Sequence, residues 1–389
     1  MIRELMVDIY LITFKLLCSV MKLFPMQRKV TFIMSYGENH IFIYEEMKRQ
    51  KIDYEVIFLY KPTCKYEMDS YSNVKFYTFE SKNILHIIQS AYHLSTSQYV
   101  IVDNYFGSLA GVKFKEGVQC IQLWHAAGAI KKFGMLAPAF YKRSPKAQKR
   151  FLDVYDNFHK IIVGSDELAN IYKGAFGLSD DRILTTGIPR TDLFFYEQRK
   201  REIKNNILSI NPSLKDKKVI LYAPTFRDKE LADFNLRLDM DAMYEALKED
   251  YIVLIKLHPA VRNSLCYKEK YKGFLYDYSL YPNINNLFLV TDILVTDYSS
   301  VPFEFCLLNK PMIFFPYDLK KYAKRRGIIG DYTTSVPGPI VYSTDELIQV
   351  IKRNSYDLET VANFNMEWNK YSQGNSSEKL INYLFSSKM

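Results

Sequence analysis

The stretch Asp292-Ile-Leu-Val-Thr-Asp-Tyr-Ser-Ser-Val-Pro-Phe-Glu304 reads as a buried strand, a polar loop and the start of a helix. Ile293, Leu294 and Val295 are apolar and mostly β-branched, as a strand interior requires, and polarity begins abruptly at Thr296. Thr296, Asp297, Ser299 and Ser300 therefore gather at a strand's carboxyl end. Pro302 suits the first turn of a helix, where Ser299 or Ser300 can cap the free amides. Amides left over there, with the positive end of the helix dipole, would seat a phosphate. An ordinary capped helix in an α/β protein explains the same residues equally well.

Outward from this stretch the chain alternates strands and helices. Val30–Ser35, Glu55–Tyr60, Val74–Phe79, Tyr99–Asp103, Val118–Trp124 and Lys160–Gly164 read as short buried strands, with helical stretches such as Ile41–Arg49, Ile84–Ser95 and Glu167–Tyr172 between them. That order predicts a parallel, doubly wound sheet. The charged segment Tyr196–Lys218 separates it from a second series: Val219–Tyr222, Tyr251–Leu257, Phe274–Tyr278, Asp292–Val295 and Met312–Phe315. The reading is thus an α/β chain with two facing Rossmann-type domains, 25–205 and 206–389, and a cleft between them. A length of 389 residues gives each domain enough chain for its own core.

Residues 1–24 are rich in Leu, Ile and Met, but Lys15 interrupts the run before it reaches the roughly 18–20 residues a spanning helix needs. No small-residue cleavage site follows it, which argues against a signal peptide. The expectation is an amphipathic helix that either lies on an anionic membrane surface or packs on its own domain. The basic run Lys142, Arg143, Lys146, Lys149 and Arg150 is either a solvated face or a second contact with anionic headgroups.

The net charge of +9 favours an anionic partner without choosing among nucleic acid, lipid and a phosphorylated substrate. Basic residues do not interleave with aromatics along one face, which weighs against nucleic acid. The 5 cysteines, Cys18, Cys64, Cys120, Cys266 and Cys306, show neither paired nor C-x-x-C spacing, so a reduced compartment fits and a zinc site does not. P-loop, G-x-S-x-G and H-E-x-x-H motifs are missing. Asp239-Met-Asp241 opens a helix and reads as capping rather than as a metal site. No cofactor is expected.

Of the 6 histidines, His125 and His258 stand at strand ends, one in each half. His125 precedes the small residues Ala126-Ala-Gly-Ala, which let backbone approach a ligand, and His258 is followed by Pro259. An imidazole at such a carboxyl edge can act as a general base near neutral pH. His40, His86, His93 and His159 read as structural. Arg227, leaving the strand Lys218-Val-Ile-Leu-Tyr-Ala223, is the natural phosphate clamp, because its planar fork makes two parallel hydrogen bonds. Arg190, in Thr186-Gly-Ile-Pro-Arg-Thr-Asp192, and Lys256 are weaker candidates.

Taken in order, Leu123-Trp-His-Ala126 with Lys131-Lys-Phe-Gly134, Gly187-Ile-Pro-Arg-Thr-Asp192, Tyr222-Ala-Pro-Thr-Phe-Arg227, Lys256-Leu-His-Pro259, Thr296-Asp-Tyr-Ser-Ser300 and Pro337-Gly-Pro339 resemble the CDP-glycerol glycerophosphotransferases that build wall teichoic acid. The likeness spans roughly residues 120–380, and the ordered set makes it specific. In length the chain looks like the shorter members rather than the long polymerases. The resemblance implies a GT-B-like fold and transfer of glycerol phosphate, or of ribitol phosphate, from a CDP-linked donor to a lipid-linked saccharide at the cytoplasmic membrane face. It implies that His125 is the base on the acceptor hydroxyl and His258 a second essential histidine near the donor phosphates. Arg227, Asp297, Ser299 and Ser300 match donor-binding positions, and Lys256, Thr296, Glu304, Arg190 and Gly338 complete the implied substrate set. A nucleotide-sugar glycosyltransferase of the same architecture is the rival enzyme reading. Self-association into a homo-oligomer stays open, and so does the role of Gly374-Asn-Ser-Ser-Glu378.

Overall fold

The computed structural model describes residues 2–64, 71, 74–227, 235–258, 261 and 269–386, so Pro259 and Cys266 lie outside the described residues. The chain forms two compact units, one of Met1–His125, Phe133–Asp192 and Tyr371–Met389, the other of Ala126–Lys132 and Leu193–Lys370. The units meet along the chain at Asp192/Leu193, where the sequence reading set 205/206, and residues 126–132 and 371–389 group with the unit opposite to that reading. Composition could not show this, because a chain that returns to an earlier unit leaves no linker-like signature.

The first unit holds a seven-stranded sheet of β1 (Gln27–Met34), β2 (Glu55–Tyr60), β3 (Lys75–Thr78), β4 (Ser97–Val102), β5 (Gln119–Gln122), β6 (Lys160–Ile162) and β7 (Ile183–Leu184). Its order is β3-β2-β1-β4-β5-β6-β7, and the pairs are parallel. Helices cover both faces of such a sheet, so its strands are apolar runs: Val30, Phe32, Ile33 and Met34 of β1 are all buried. Strand order reverses between β1 and β4, where open α/β sheets carry their ligand crevice. The two-residue β7 is too short to leave a sequence pattern.

Two further elements complete this unit. Helix Ser376–Phe385 is held by Asp192, whose carboxylate accepts the Ser376 and Ser377 amides, both at 2.9 Å, and the Ser377 hydroxyl at 2.8 Å. That assigns Gly374–Glu378 a structural role. Helix Ile2–Met21 buries Phe14 and Cys18 and packs on helix Ile84–Thr96, while Leu5, Ile9, Ile12, Leu16 and Val20 stay exposed on its other side. No described helix is long and apolar enough to cross a membrane. The basic run is partly spent: Arg150 pairs with Glu4 (2.6 Å) and Asp8 (3.3 Å), Lys146 with Asp8, and Lys149 with Asp153 (2.9 Å).

The second unit holds a five-stranded parallel sheet of β8 (Lys218–Ala223), β9 (Tyr251–Ile255), β10 (Leu275–Asp277), β11 (Ile293–Thr296) and β12 (Met312–Phe314), in the order β10-β9-β8-β11-β12. Its core gathers Ile220, Tyr222, Val253, Ile255, Val295 and Ile313. Order reverses between β8 and β11, which pair Thr296 with Ala223 at their carboxyl ends. Asp239 caps helix Met240–Leu247 through the Ala242 amide (3.0 Å), as read from the sequence.

The expected phosphate-binding helix after Ser300 is corrected. Pro302–Phe305 is a single helical turn that runs into a 3₁₀ turn, and its N-cap Val301 has no side-chain cap. Four residues align too few peptide dipoles to form an anion seat of the kind expected.

Candidate active site

In the first unit the site is built around the exit of β5. Trp124 adopts the left-handed φ of 54°, which costs a bulky residue of order 1–3 kcal/mol and persists where the surroundings enforce it. Those surroundings are visible. Asn39 Nδ2 donates to the Trp124 carbonyl (3.0 Å) and Arg190 donates to the His125 carbonyl (3.0 Å), so both peptides flanking the histidine are held. Arg190 is fixed in turn by Glu38 (2.9 Å), and the Arg190 amide donates to Asn39 Oδ1 (3.0 Å). The His125 ring stacks between Trp124 and Tyr36, at 4.7 Å from each centroid. Its Nδ1 lies 3.3 Å from the Asp103 carbonyl. A carbonyl only accepts, so the proton belongs on Nδ1 and the basic lone pair on Nε2, the arrangement a general base needs.

Asp103, just past β4, organises the turn after β1: its carboxylate accepts the amides of Ser35 (2.8 Å), Tyr36 (2.8 Å) and Gly37 (2.9 Å). Tyr36 is thereby set against His125. Burial lowers the pKa of His40, whose Nε2 contacts the Ile101 carbonyl (3.1 Å), so it stays a neutral core residue.

In the second unit three strand exits converge: Thr225–Arg227 after β8, Lys256–His258 after β9 and Asp297–Ser300 after β11. Asp297 accepts the amides of Thr225 (2.8 Å) and Tyr298 (2.6 Å) and pairs with Arg227 (3.1 Å). Arg227 also donates through Nε (2.9 Å) and NH2 (2.8 Å) to Asp318, and through NH1 to the Thr225 carbonyl (2.6 Å). The rings of Tyr298, Tyr317 and Tyr322 surround its guanidinium at 5.2, 5.0 and 4.8 Å. Burial opposes its charge, but the bonds to Asp318 and the field of Asp297 outweigh that and raise its pKa. Every guanidinium nitrogen is thus committed within the protein. Where the sequence reading expected a phosphate clamp, Arg227 here neutralises two carboxylates and fixes the loop.

Several other expected binding residues have partners within the protein. Thr296 donates to the Ala223 carbonyl across the two strands (2.7 Å). Lys256 is buried and donates to the carbonyls of Ser279 (2.8 Å) and Tyr281 (2.6 Å). Glu304 is buried in its helical turn. Gly338 lies against β12, where a Cβ would come within 2.2 Å of the Met312 carbonyl oxygen; the position requires glycine for packing. Arg190 belongs to the first unit as a support for His125. What remains at the carboxyl edge of the second sheet is His258, its ring 4.6 Å from that of Phe226, with the half-buried Ser299 and Ser300. The Ser300 hydroxyl has no hydrogen-bond partner among the described residues.

Sequence reasoning passed over Asp103, Tyr36, Asn39, Asp318 and Tyr322. Asp103 carried a usable signal, since Val100-Ile-Val-Asp103 repeats the pattern of Leu294-Val-Thr-Asp297. The others become visible only through the tertiary contacts they make.

The family model described as CDP-glycerol:poly(glycerophosphate) glycerophosphotransferase matches residues 18–386. Over 385 residues the chain is 36% identical to a teichoic acid glycerol-phosphate primase of Bacillus subtilis (strain 168), covering 98% of each. It is also 36% identical over 351 residues to a teichoic acid poly(ribitol-phosphate) polymerase of Bacillus spizizenii, covering 89% of this chain and 54% of that one. Among solved structures the wall teichoic acid polymerase TagF superposes with a TM-score of 0.81 at 25% identity, covering 100% of this chain and 98% of that one.

Proposed function

Because the chain belongs to the CDP-glycerol:poly(glycerophosphate) glycerophosphotransferase family, we propose that it transfers glycerol phosphate from CDP-glycerol to a lipid-linked teichoic acid primer and releases CMP. The observation that carries this reading is the likeness to a glycerol-phosphate primase along almost the whole of both chains. It favours addition of the first unit to a lipid-linked saccharide.

In this reaction a hydroxyl oxygen of the acceptor forms a bond to the glycerol-bearing phosphorus of CDP-glycerol, and the bond from that phosphorus to the CMP oxygen breaks. CMP leaves with the electron pair, and the acceptor's proton passes to His125 Nε2. Asp103 fixes the tautomer, and Arg190 with Asn39 holds the backbone on both sides of the ring. In the second unit His258, Ser299 and Ser300 take the donor phosphates. Arg227 serves them indirectly, by keeping the Asp297–Ser300 loop in place. Fixed donors of this kind stabilise charge that grows on phosphoryl oxygens, usually the main contribution in phosphoryl transfer.

A lipid-linked acceptor places the work at the cytoplasmic face of the membrane. The exposed apolar side of helix Ile2–Met21 supports docking there, as a surface contact rather than a span.

Ribitol phosphate is the second reading, favoured by equal identity to a poly(ribitol-phosphate) polymerase. CMP release from CDP-glycerol and, separately, from CDP-ribitol, on bare lipid-linked disaccharide or on the same lipid carrying one glycerol phosphate, separates them. Turnover with CDP-glycerol on the bare disaccharide, giving a product heavier by one unit, is the expected result. Turnover with CDP-ribitol alone overturns the glycerol assignment, and no turnover with any pairing overturns the class.

A further inference from the structure

Arg227 is committed to Asp297 and Asp318, so its charge is spent within the protein rather than on a nucleotide diphosphate. The segment Ala126–Lys132, which follows His125 in sequence, belongs to this second unit. It is fastened there by backbone pairing. The Ile329 amide donates to the Ile130 carbonyl (2.9 Å), the Lys132 amide to the Gly327 carbonyl (3.2 Å), and Lys131 bridges Ile328 in antiparallel fashion. Gly128 lies so close to Phe303 that a Cβ would meet the ring at 2.3 Å, which packs the segment against the helical turn that follows the Ser299–Ser300 loop.

This fastening carries the Lys131 ammonium into the field of Asp297, Arg227 and Arg326. The side chain is half-buried, yet among the described residues its Nζ makes no hydrogen bond or ion pair. It is not needed to balance Asp297, which already has Arg227 and two amides. A half-buried cation without a partner is costly unless a ligand supplies the anion. Resting on the donor reading above, we propose that Lys131 contacts the phosphate oxygens of the CDP-linked donor, as a binding and charge-stabilising residue beside Ser299 and Ser300. Burial, followed by the opposing pull of Asp297 and the push of Arg326 and Arg227, sets its pKa at about 8, so it is charged at neutral pH and loses its charge on mild alkalinisation.

The test measures CDP-glycerol affinity by calorimetry and CMP release against pH for the full chain and for Lys131→Met, Lys131→Arg and Lys132→Met, with circular dichroism as the folding control. A lost charge-assisted hydrogen bond predicts about 10- to 100-fold weaker binding or lower kcat/KM for Lys131→Met. Lys131→Arg should recover to within several-fold and carry activity to higher pH, while the exposed Lys132→Met stays at the wild-type level. Wild-type affinity and turnover in folded Lys131→Met overturn the proposal and leave the family reading intact. Should that variant not fold, an alkaline decline in Lys131→Arg identical to the wild type's overturns it as well. A wild-type chain that binds neither CDP-glycerol nor CDP-ribitol removes the donor reading and this inference together.

Discussion

Replacing Arg227 with Met separates a strut from a clamp. The substitution keeps most of the aliphatic volume but removes a guanidinium that is 9% exposed from between Asp297, 3% exposed, and Asp318, 19% exposed. Breaking a buried pair from one side leaves the partner charge desolvated and costs about 3–5 kcal/mol, and here two carboxylates lose their countercharge. The three tyrosine faces around Cζ add to the loss, at about 0.5–1 kcal/mol each where they are independent. A domain of about 150–250 residues loses about 2–4 °C in Tm per kcal/mol, so the broken ion pair alone gives an expected fall of about 6–20 °C, and the tyrosine contacts add to it. Thermal unfolding followed by near-ultraviolet circular dichroism reads it directly. Arg227→Lys keeps a charge without the planar fork and should fall in between. Combining Arg227→Met with Asp297→Asn should destabilise by less than the sum of the two, with a coupling of about 0.5–3 kcal/mol. An Arg227→Met protein that melts within about 2 °C of wild type yet loses affinity for CDP-glycerol would refute this reasoning and return Arg227 to the donor phosphates.

His125→Ala should lower turnover about 100- to 10,000-fold in a folded protein, and near-normal CMP release rules it out as the base. Arg190→Gln should reduce kcat more than it raises KM, because it loosens the His125 peptide without touching substrate; a pure KM effect assigns Arg190 to the substrate instead. His93 is buried and lies near Lys29, which drives its pKa from 6.5 to about 4. The folded protein then holds fewer protons than the unfolded chain between those values, so stability falls as pH drops through that window, by at most about 3 kcal/mol. His93→Gln should flatten this acid limb in denaturant titrations at pH 4.5 and 7. Changing Leu5, Ile9 and Leu16 together to Ser should abolish flotation with anionic liposomes and leave Tm unchanged, since these side chains are exposed while Phe14 and Cys18 hold the helix. Undiminished flotation rejects this helix as the docking surface.

The architecture was legible in the sequence because buried parallel strands write themselves as short apolar runs, from Val30–Met34 to Met312–Phe315, whatever their partners. The strand-end loops were legible for the same reason, since polarity resumes where a strand leaves the core. What a polar residue does in such a loop was not. Arg227, Lys256 and Thr296 look like ligands from composition, and each is consumed by a partner remote in sequence: Asp318, the Ser279 and Tyr281 carbonyls, and the Ala223 carbonyl. Lys131 gives the opposite case. In the sequence it appears only within the motif Lys131-Lys-Phe-Gly134, with no role of its own, and the fastening of Ala126–Lys132 onto the second unit brings its charge into the field of Asp297.

Both units solve the same local problem in the same way. In a doubly wound sheet the loops after the central pair of strands diverge at the switch point, leaving backbone amides without ladder partners. An aspartate just past the fourth strand of each unit closes that gap: Asp103 takes the amides of Ser35, Tyr36 and Gly37 after β1, and Asp297 takes that of Thr225 after β8. Both carboxylates are engaged by these amides, although each stands at the usual ligand-binding edge. Their contribution is to fix the neighbours that can act: Tyr36 against His125 in the first unit, and the loop carrying Ser299 and Ser300 in the second. Asp103→Asn or Asp297→Asn should then reduce activity by loosening these loops, a loss that tracks stability across temperature.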